Sequence, residues 1–307
     1  SMAALNHVIY ITADNVTLDL AGKSITLIPG SGSPINGITI APGISNVTIK
    51  NGIIESMNGH GILIHNNCSH ITLENITLLK CVTSGITFQG TNGNVINGCS
   101  IKNCCIQECN GITTDTYGLK LLYCNAFSIQ HSFFISNKTS QLAKNAYAFY
   151  TIHSKNIECD SCVIEDLTAS KIASGFYLDT DSLQCSFKKC KTKSIISTST
   201  TNTGRAYGFY QLDSFNNSFE ECSSIYASSY ALSAGFYTQN SSYSTFKECT
   251  STYHIITGSA NTIGGFGFLS DTGICDGTMF DHCNAFGNKG SSDANSRGCG
   301  FSIDNSQ

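Results

Sequence analysis

The chain has 307 residues, 12% of them charged, and a formal net charge of −4 at pH 7. With 17 Lys and Arg in all and no basic run, it is not a strongly basic nucleic-acid-binding protein. Hydrophobic residues make up 41%, which excludes a disordered chain. No stretch approaches the roughly 18 consecutive apolar residues of a membrane-spanning helix.

The first residues carry no recognisable targeting signal. SMAALNHVIYITADN lacks the basic start and long apolar run of a signal peptide. Ser1-Met2 is typical of a cloning remnant, so we expect a natural N-terminal segment to precede this sequence. Localisation stays open: secreted or surface-exposed if that segment carries a signal, and also intracellular if the thiols are reduced.

Repeats dominate the rest of the chain. In the first third, units beginning Gly37-Ile38, Gly61-Ile62 and Gly85-Ile86 lie 24 residues apart. In the second half a longer unit recurs, with spacings of 27, 33, 27, 32 and 33 residues between the aromatic positions Phe149, Phe176, Phe209, Phe236, Phe268 and Phe301. Periods of this size indicate a solenoid or another repeat architecture.

Each unit contains short runs with apolar/polar alternation, rich in Ile, Val, Thr, Phe and Tyr and separated by Gly, Asn, Asp and Ser. Such runs are typical of strands and turns, and no sustained helical period occurs. We predict one all-β solenoid domain over 1–307, with about 10–11 coils and almost no helix. Regular 24-residue coils cover about 11–110 and 27–34-residue coils about 145–307, with the variable part as loops near 192–204 and 251–263.

The segment Ile11–Gly22, ITADNVTLDLAG, resembles the opening turn of right-handed parallel β-helix proteins of the pectin-lyase-like superfamily. Residues 208–222 resemble the β-helix repeat of periplasmic copper-site and carbohydrate-binding proteins, with Cys222 where Asn is common. The resemblance covers nearly the whole chain and implies a single-stranded right-handed parallel β-helix. It implies no single activity, because this superfamily includes lyases, hydrolases, epimerases, tailspikes, adhesins and inert scaffolds.

Equivalent residues of successive coils stack about 4.8 Å apart, so repeated residues become columns. The Phe residues above form one column, and Phe187, Phe219, Phe246 and Phe280 form another. Because strand alternation lets only one residue of each Phe-Tyr pair face inward, we place Phe in the core. An outward stripe then consists of Tyr150, Tyr177, Tyr210 and Tyr237.

Most of the 16 cysteines are interpreted as core residues, since a buried thiol is a small apolar filler. One repeat position holds Cys162, Cys190, Cys222, Cys249 and Cys283, and we expect Cys81, Cys99 and Cys104 to extend this column. Disulfides and a metal site at Cys159-x-x-Cys162 or Cys104-Cys105 are the alternatives. No second CxxC or His partner has ligand spacing, so we predict no metal and no cofactor.

Polar residues follow the Tyr-bearing strands: His153, Asp179, Asp181, Asp213, Asn240, Asp271 and Asp304. With the Tyr stripe, they predict a glycan-binding groove along the solenoid axis, in which rings stack on sugars and carboxylates and amides bind hydroxyls. In the structural alternative, Asp, Asn and Ser make turns and Tyr merely favours strands.

A glycoside hydrolase needs two carboxylates about 5–5.5 Å or 6.5–9.5 Å apart. Neighbouring coils supply about the shorter distance, so Asp181 with Asp213 is the candidate catalytic pair and Asp179 flanks it. Gly59-His60-Gly61 resembles the Gly-His-Gly of polygalacturonase-type hydrolases, but that family's preceding Asp residues and following Arg-Ile-Lys are missing. We interpret it as a repeat glycine after a chance histidine. Arg205 is the candidate base for lyase chemistry.

These patterns predict an elongated β-helix scaffold that binds a glycan or polysaccharide through a face lined by Tyr, Asp and Asn. The alternatives are a polysaccharide-processing hydrolase, lyase or epimerase, and a structural spike or adhesin. We expect no nucleic-acid partner and no membrane span, and a homo-oligomer such as a trimer is an open prediction.

Overall fold

The computed structural model describes residues 6–27, 34–111, 115–139, 144–258, 264–271, 275–290 and 297–303. Within these ranges all regular structure is β, and no helix occurs. The strands pair in parallel and form two sheets. The predicted fold class, an all-β parallel solenoid, is therefore confirmed. In the same ranges no helix is long and apolar enough to cross a membrane.

Sheet A receives one strand from each coil. Its 11 strands are His7–Ile11, Asn36–Ile40, His60–His65, Ser84–Gln89, Thr116–Leu122, Ala146–Ile152, Ile172–Leu178, Arg205–Leu212, Leu232–Gln239, Gly264–Asp271 and Arg297–Ile303. The register joins equivalent repeat positions: Ile38 pairs with Ile62, and Ile62 with Ile86.

Sheet B completes each coil with shorter segments. Its 21 strands are Thr17–Asp19, Ser24–Thr26, Ser45–Glu55, Ser69–Leu79, Ile96–Asn97, Ser100–Lys102, Cys105–Gln107, Asn110–Gly111, Cys124–Gln130, Phe133–Ile135, Lys138–Thr139, Lys155–Asp160, Val163–Ala169, Ser186–Lys188, Lys191–Ser197, Ser218–Glu220, Ser223–Ser229, Thr245–Lys247, Thr250–Ile256, Met279–Asp281 and Asn284–Phe286. The predicted loops at 192–204 and 251–263 are wrong over their first residues, because Lys191–Ser197 and Thr250–Ile256 are strands.

Sheet B turns around the core because a left-handed residue recurs every five positions. In one coil these residues are His70 (φ 55°), Asn75 (φ 53°) and Lys80 (φ 56°). The same spacing recurs at Asn46, Asn51 and Ser56; Ala126, His131 and Ser136; Asn156, Ser161 and Asp166; Gln184, Lys189 and Ser194; Asn216, Glu221 and Tyr226; and Tyr243, Glu248 and Tyr253. A left-handed residue interrupts the extended chain, so each of these coils bends three times.

The predicted Phe columns are confirmed as the core of the later coils, except at their C-terminal ends, where Phe301 is 41% exposed and Phe280 is half-buried. Phe149 pairs with Phe176, and Phe209 with Phe236, and the second column pairs Phe187 with Phe219. Within the first column the rings of Phe209 and Phe236 stack with centroids 4.7 Å apart. Continuous ring stacking along the axis replaces the Ile and Leu core of the earlier coils.

All 16 cysteines are free, 13 of them buried, which agrees with their interpretation as core thiols. Cys104 joins the predicted column through Ser132, whose hydroxyl accepts the Cys104 N–H at 3.2 Å. Cys81 and Cys99 do not belong to it. They follow the left-handed residues Lys80 and Gly98 at two other bends, so each lies in a different inward column.

Candidate functional site

The predicted tyrosines face away from the main core and form a ladder on the outer face of sheet A. This tyrosine ladder comprises Tyr150, Tyr177, Tyr210 and Tyr237, in register on successive strands. The rings of Tyr177 and Tyr210 lie 4.7 Å apart at an interplanar angle of 3°. Those of Tyr210 and Tyr237 lie 4.9 Å apart at 6°. Parallel stacking at the coil repeat therefore places ring face against ring face.

This stacking closes the ladder to solvent. Tyr177, Tyr210 and Tyr237 are only 8%, 7% and 3% exposed, while Tyr150 is half-buried. The hydroxyl of Tyr150 donates to Asp179 Oδ2 at 2.7 Å. Burial raises the pKa of the Tyr177 and Tyr210 hydroxyls well above the usual range. The rings do not offer the open sugar-stacking faces that the sequence predicted, and what remains reachable is the Tyr150 end.

His153, Asp181, Asp213 and Asn240 form a second ladder, at the corner where the strands of sheet A end. All four are left-handed, with φ of 50°, 57°, 48° and 47°. The side chains bond in pairs along the stack: His153 Nδ1 lies 3.2 Å from Asp181 Oδ2, and Asn240 Nδ2 donates to Asp213 Oδ1. The structure thus brings these predicted residues together at a turn, where Asp and Asn tolerate the left-handed conformation.

Of the remaining predicted carboxylates, Asp179 and Asp271 lie beside this corner. Asp179 accepts the Tyr150 hydroxyl on Oδ2, and on Oδ1 it accepts the Thr180 N–H at 2.8 Å. The backbone of Asp271 pairs with Gln239 in sheet A, whereas Asp304 lies outside the described residues. Each of Asp179, Asp181 and Asp213 therefore has a protein partner, and their catalytic role stays a prediction.

A cleft of about 390 Å³ opens on the same outer face, next to the Tyr150 end of the ladder. The sheet register explains its position, since Lys120 pairs with Tyr150 on one side and Thr87 on the other. The ladder column therefore changes from aromatic to polar at this point. The lining includes His60, Thr87, Gln89, Asp115, Tyr117 and Lys120.

A hydrogen-bond network holds His60 in the cleft. Its Nδ1 lies 2.6 Å from Ser84 Oγ and 3.2 Å from Thr87 Oγ1, and its backbone N–H donates to Asn36 Oδ1 at 2.9 Å. Burial, followed by the positive charge of Lys120, lowers the pKa of His60 to about 4. The imidazole is therefore neutral at pH 7, and its Nε2 is the ring nitrogen left for a ligand.

Lys120 is the cation of the cleft. Its Nζ lies 4.2 Å from the centroid of the Tyr117 ring and 5.8 Å from that of Tyr150. Burial lowers the pKa of Lys120, although nearby Asp115 opposes the shift. The Asp115 carboxylate accepts hydrogen bonds from the Asn145 backbone N–H (2.9 Å) and Nδ2 (3.2 Å). Across the described ranges, no group of three His, Cys, Asp or Glu side chains has the geometry to hold a metal.

The sequence interpretation missed most of this cleft. It considered His60 but assigned it no role, and Asp115, Tyr117 and Lys120 were not among its candidates. A signal was present: Gly118-Leu119-Lys120 occupies the repeat position of Ala148-Phe149-Tyr150. The register was not recognised because Leu and Lys replace the Phe-Tyr pair, so the unit lacks the aromatic signature.

No protein-family model matches the chain, and no curated protein matches it significantly. Among solved structures it is similar to a double mutant of the periplasmic alginate epimerase AlgG, with a TM-score of 0.53, 9% identity and coverage of 92% of this chain and 79% of that one. The A-module of the Azotobacter vinelandii mannuronan C-5 epimerase AlgE6 aligns with a TM-score of 0.45, 11% identity and 92% and 91% coverage. At such identities the AlgG similarity shows the fold alone.

Proposed function

We propose that this chain binds a polysaccharide on the outer face of sheet A, in the cleft beside the tyrosine ladder. The observation that carries the proposal is Lys120, a half-buried ammonium that lies over the Tyr117 ring and forms no ion pair with any described residue. A sugar offers both an apolar ring face for Tyr117 and oxygen atoms for the Lys120 N–H groups. Open clefts with a few convergent polar groups are the usual sites for such ligands.

The fold supports this ligand class by analogy. AlgG, which shares the fold, is by its name an epimerase of alginate, a polysaccharide. A shared fold does not transfer an activity, so the cleft residues themselves must carry the assignment. The predicted axial groove over Tyr177, Tyr210 and Tyr237 receives less support, because those rings are buried against one another.

A glycan array followed by calorimetry on the best binder tests the proposal. We expect Lys120→Gln to weaken binding roughly tenfold or more, because a charge-assisted hydrogen bond is lost. Lys155→Gln, the same change on an exposed strand of sheet B, should leave the affinity unchanged. Tyr210→Phe removes only one hydroxyl of the tyrosine ladder, so it distinguishes binding on the ladder from binding in the cleft. Weaker binding by Tyr210→Phe but not by Lys120→Gln would place the ligand on the ladder, and no binding to any glycan would refute the proposal.

A polysaccharide-processing enzyme is the second candidate, favoured by the state of His60. Hydrogen bonds at Nδ1 orient a neutral imidazole. In the tautomer whose Nδ1–H donates to Ser84 Oγ, the other nitrogen, Nε2, is able to accept a proton from a bound sugar, and perturbed titratable groups in a cleft are typical of active sites. A polysaccharide panel assayed for reducing ends and unsaturated uronates tests this function. His60→Gln should then abolish product formation while glycan binding persists.

A further inference from the structure

A second cleft, of about 340 Å³, lies across the corner at which the chain enters sheet A. Val82 lines it, and the next residue, Thr83, lines the first cleft. Two coils therefore contribute to both clefts. One coil places Lys80 in the second cleft and Thr87 in the first, and the next coil places Glu108 in the second cleft and Lys120 in the first. Among the described residues, the second cleft is lined by Lys80, Val82, Glu108, Asn110 and Lys138.

The second cleft carries an excess positive charge. Both oxygens of the Glu108 carboxylate are engaged: Oε1 accepts Gln107 Nε2 at 3.2 Å, and Oε2 lies 3.9 Å from Lys80 Nζ. Lys138, on the neighbouring coil, forms no ion pair with any residue in the described ranges. One positive charge is left uncompensated, and Val82 provides an apolar wall beside it. Such a cleft favours an anionic group over a neutral one.

We propose that the second cleft is a subsite for an acidic sugar residue of the same polysaccharide that occupies the first cleft. This inference rests on the proposed function and narrows its ligand to acidic polysaccharides. A sugar carboxylate contacts Lys138 at the second cleft, while Lys120 and Tyr117 hold another unit at the first.

The arrangement also assigns the direction of the bound chain. Because the same coils supply both clefts in chain order, a ligand that contacts both lies along the strands, across the width of the solenoid. A ligand that ran along the axis toward the later coils would instead lie over the closed tyrosine ladder, whose inner members are at most 8% exposed. The clefts therefore favour a crosswise path over the axial groove that the sequence predicted.

Titration calorimetry with galacturonic acid oligomers tests the subsite. The dimer is used as the ligand for the first cleft and the hexamer as the ligand that contacts both clefts. A hexamer whose carboxyl groups have been reduced is the uncharged control of the same length. We expect Lys138→Glu to raise the hexamer Kd roughly fivefold, consistent with one partly exposed ion pair, without changing the dimer Kd. Glu108→Gln should lower the hexamer Kd, because it removes the acidic side chain found among the described residues that line the second cleft. Lys155→Glu, on sheet B, is the matched control.

The outcomes separate this inference from the proposed function. If Lys138→Glu and Lys155→Glu raise the hexamer Kd equally, or if the carboxyl-reduced hexamer binds as tightly, the subsite is wrong. A persisting effect of Lys120→Gln would then leave the first cleft intact as the binding site. If the unmodified protein binds no member of the series and no glycan on the array, both proposals fail.

Discussion

Small polar side chains and thiols at the bends of the coil bind backbone N–H groups that strand pairing leaves free. Ser132 Oγ accepts the Cys104 N–H, and Asn217 Oδ1 accepts the Cys185 N–H at 2.8 Å. Cys99 Sγ does the same for the Ile71 N–H at 3.4 Å. A thiol therefore replaces Ser or Asn as an acceptor while it adds apolar volume to the core. This explains why Cys, Ser and Asn share the inward columns.

Substitutions of Cys99 should show this double role. Its Sγ accepts the Ile71 N–H and donates to Asn97 O at 3.4 Å. Cys99→Val keeps an apolar side chain but leaves the buried N–H unpaired, which should cost about 1–3 kcal/mol of unfolding free energy. Cys99→Ser keeps the hydrogen bonds and should cost less. Urea denaturation measures both, and a Val variant as stable as the parent would contradict the role.

His254 performs the same task inside the core, fully buried. The ring Nδ1 of His254 accepts the backbone N–H of Ala227 at 3.1 Å, and the backbone N–H of His254 donates to Asn288 Oδ1 at 3.1 Å. If Nδ1 were protonated, its N–H would face the Ala227 N–H, so two hydrogen-bond donors would meet without an acceptor. Burial also disfavours the positive charge. Burial accordingly lowers the pKa of His254 from 6.5 to about 3.

Stability should therefore fall in acid. Between pH 6.5 and about 3 the unfolded chain binds a proton that folded His254 does not, so acid favours unfolding. The contribution of neutral His254 to the unfolding free energy is complete above pH 6.5. It is lost as the pH falls, by up to about 1.4 kcal/mol per pH unit. His254→Asn, which keeps an acceptor, should show a shallower pH dependence of the unfolding free energy. Because His60 titrates in both proteins, identical slopes would show that His254 is not protonated on unfolding.

At the scale of elements, sheet A needs a small residue before each Phe because successive coils approach closely there. A Cβ on Gly175 would lie 2.6 Å from Gly208 O and 2.7 Å from Thr192 Cγ2. Gly precedes Phe on each of these strands except the neighbouring one, where Ala148 precedes Phe149. The recurring glycines in the sequence therefore mark the positions at which successive coils lie too close together for a larger side chain.

Gly175→Ala should destabilise the solenoid by about 1–3 kcal/mol, as overpacking of a core does. Ala148→Gly is the matched control and should cost less, about 0.5–1 kcal/mol, the ordinary cost of Gly in place of Ala inside a strand. Thermal unfolding followed by circular dichroism compares the two. Equal melting temperatures for Gly175→Ala and the parent would show that the strands separate freely at this position.

The two sheets differ in how far their elements could be predicted. Alternation and the Phe repeat located the sheet A strands, because period 2 is the direct sequence signature of a strand with one buried face. The five-residue recurrence of left-handed residues in sheet B was not recognised. Residues as different as Asn75, Lys189 and Tyr253 occupy those positions, since their side chains point outward and only the backbone conformation is shared.

At the scale of the whole molecule, the outer face of sheet A divides into two parts. Coils with Tyr-bearing strands close their own face by stacking, and the coils with His60, Thr87 and Lys120 leave an open cleft. The candidate site therefore lies where the composition of the columns changes. That residues 1–307 form one domain and that the chain forms a homo-oligomer such as a trimer stay predictions.

The sequence by itself determined the all-β solenoid, the Phe core and the thiol packing, because these follow from periodicity and each repeat reports the same local environment. Only the tertiary structure decided which residues face one another across coils. It showed that Tyr177 and Tyr210 bury each other's faces, that Asp181 and Asp213 belong to a turn ladder, and that His60 and Lys120 share a cleft. The physical reason is register: coil lengths vary, so the side chains that meet depend on strand pairing.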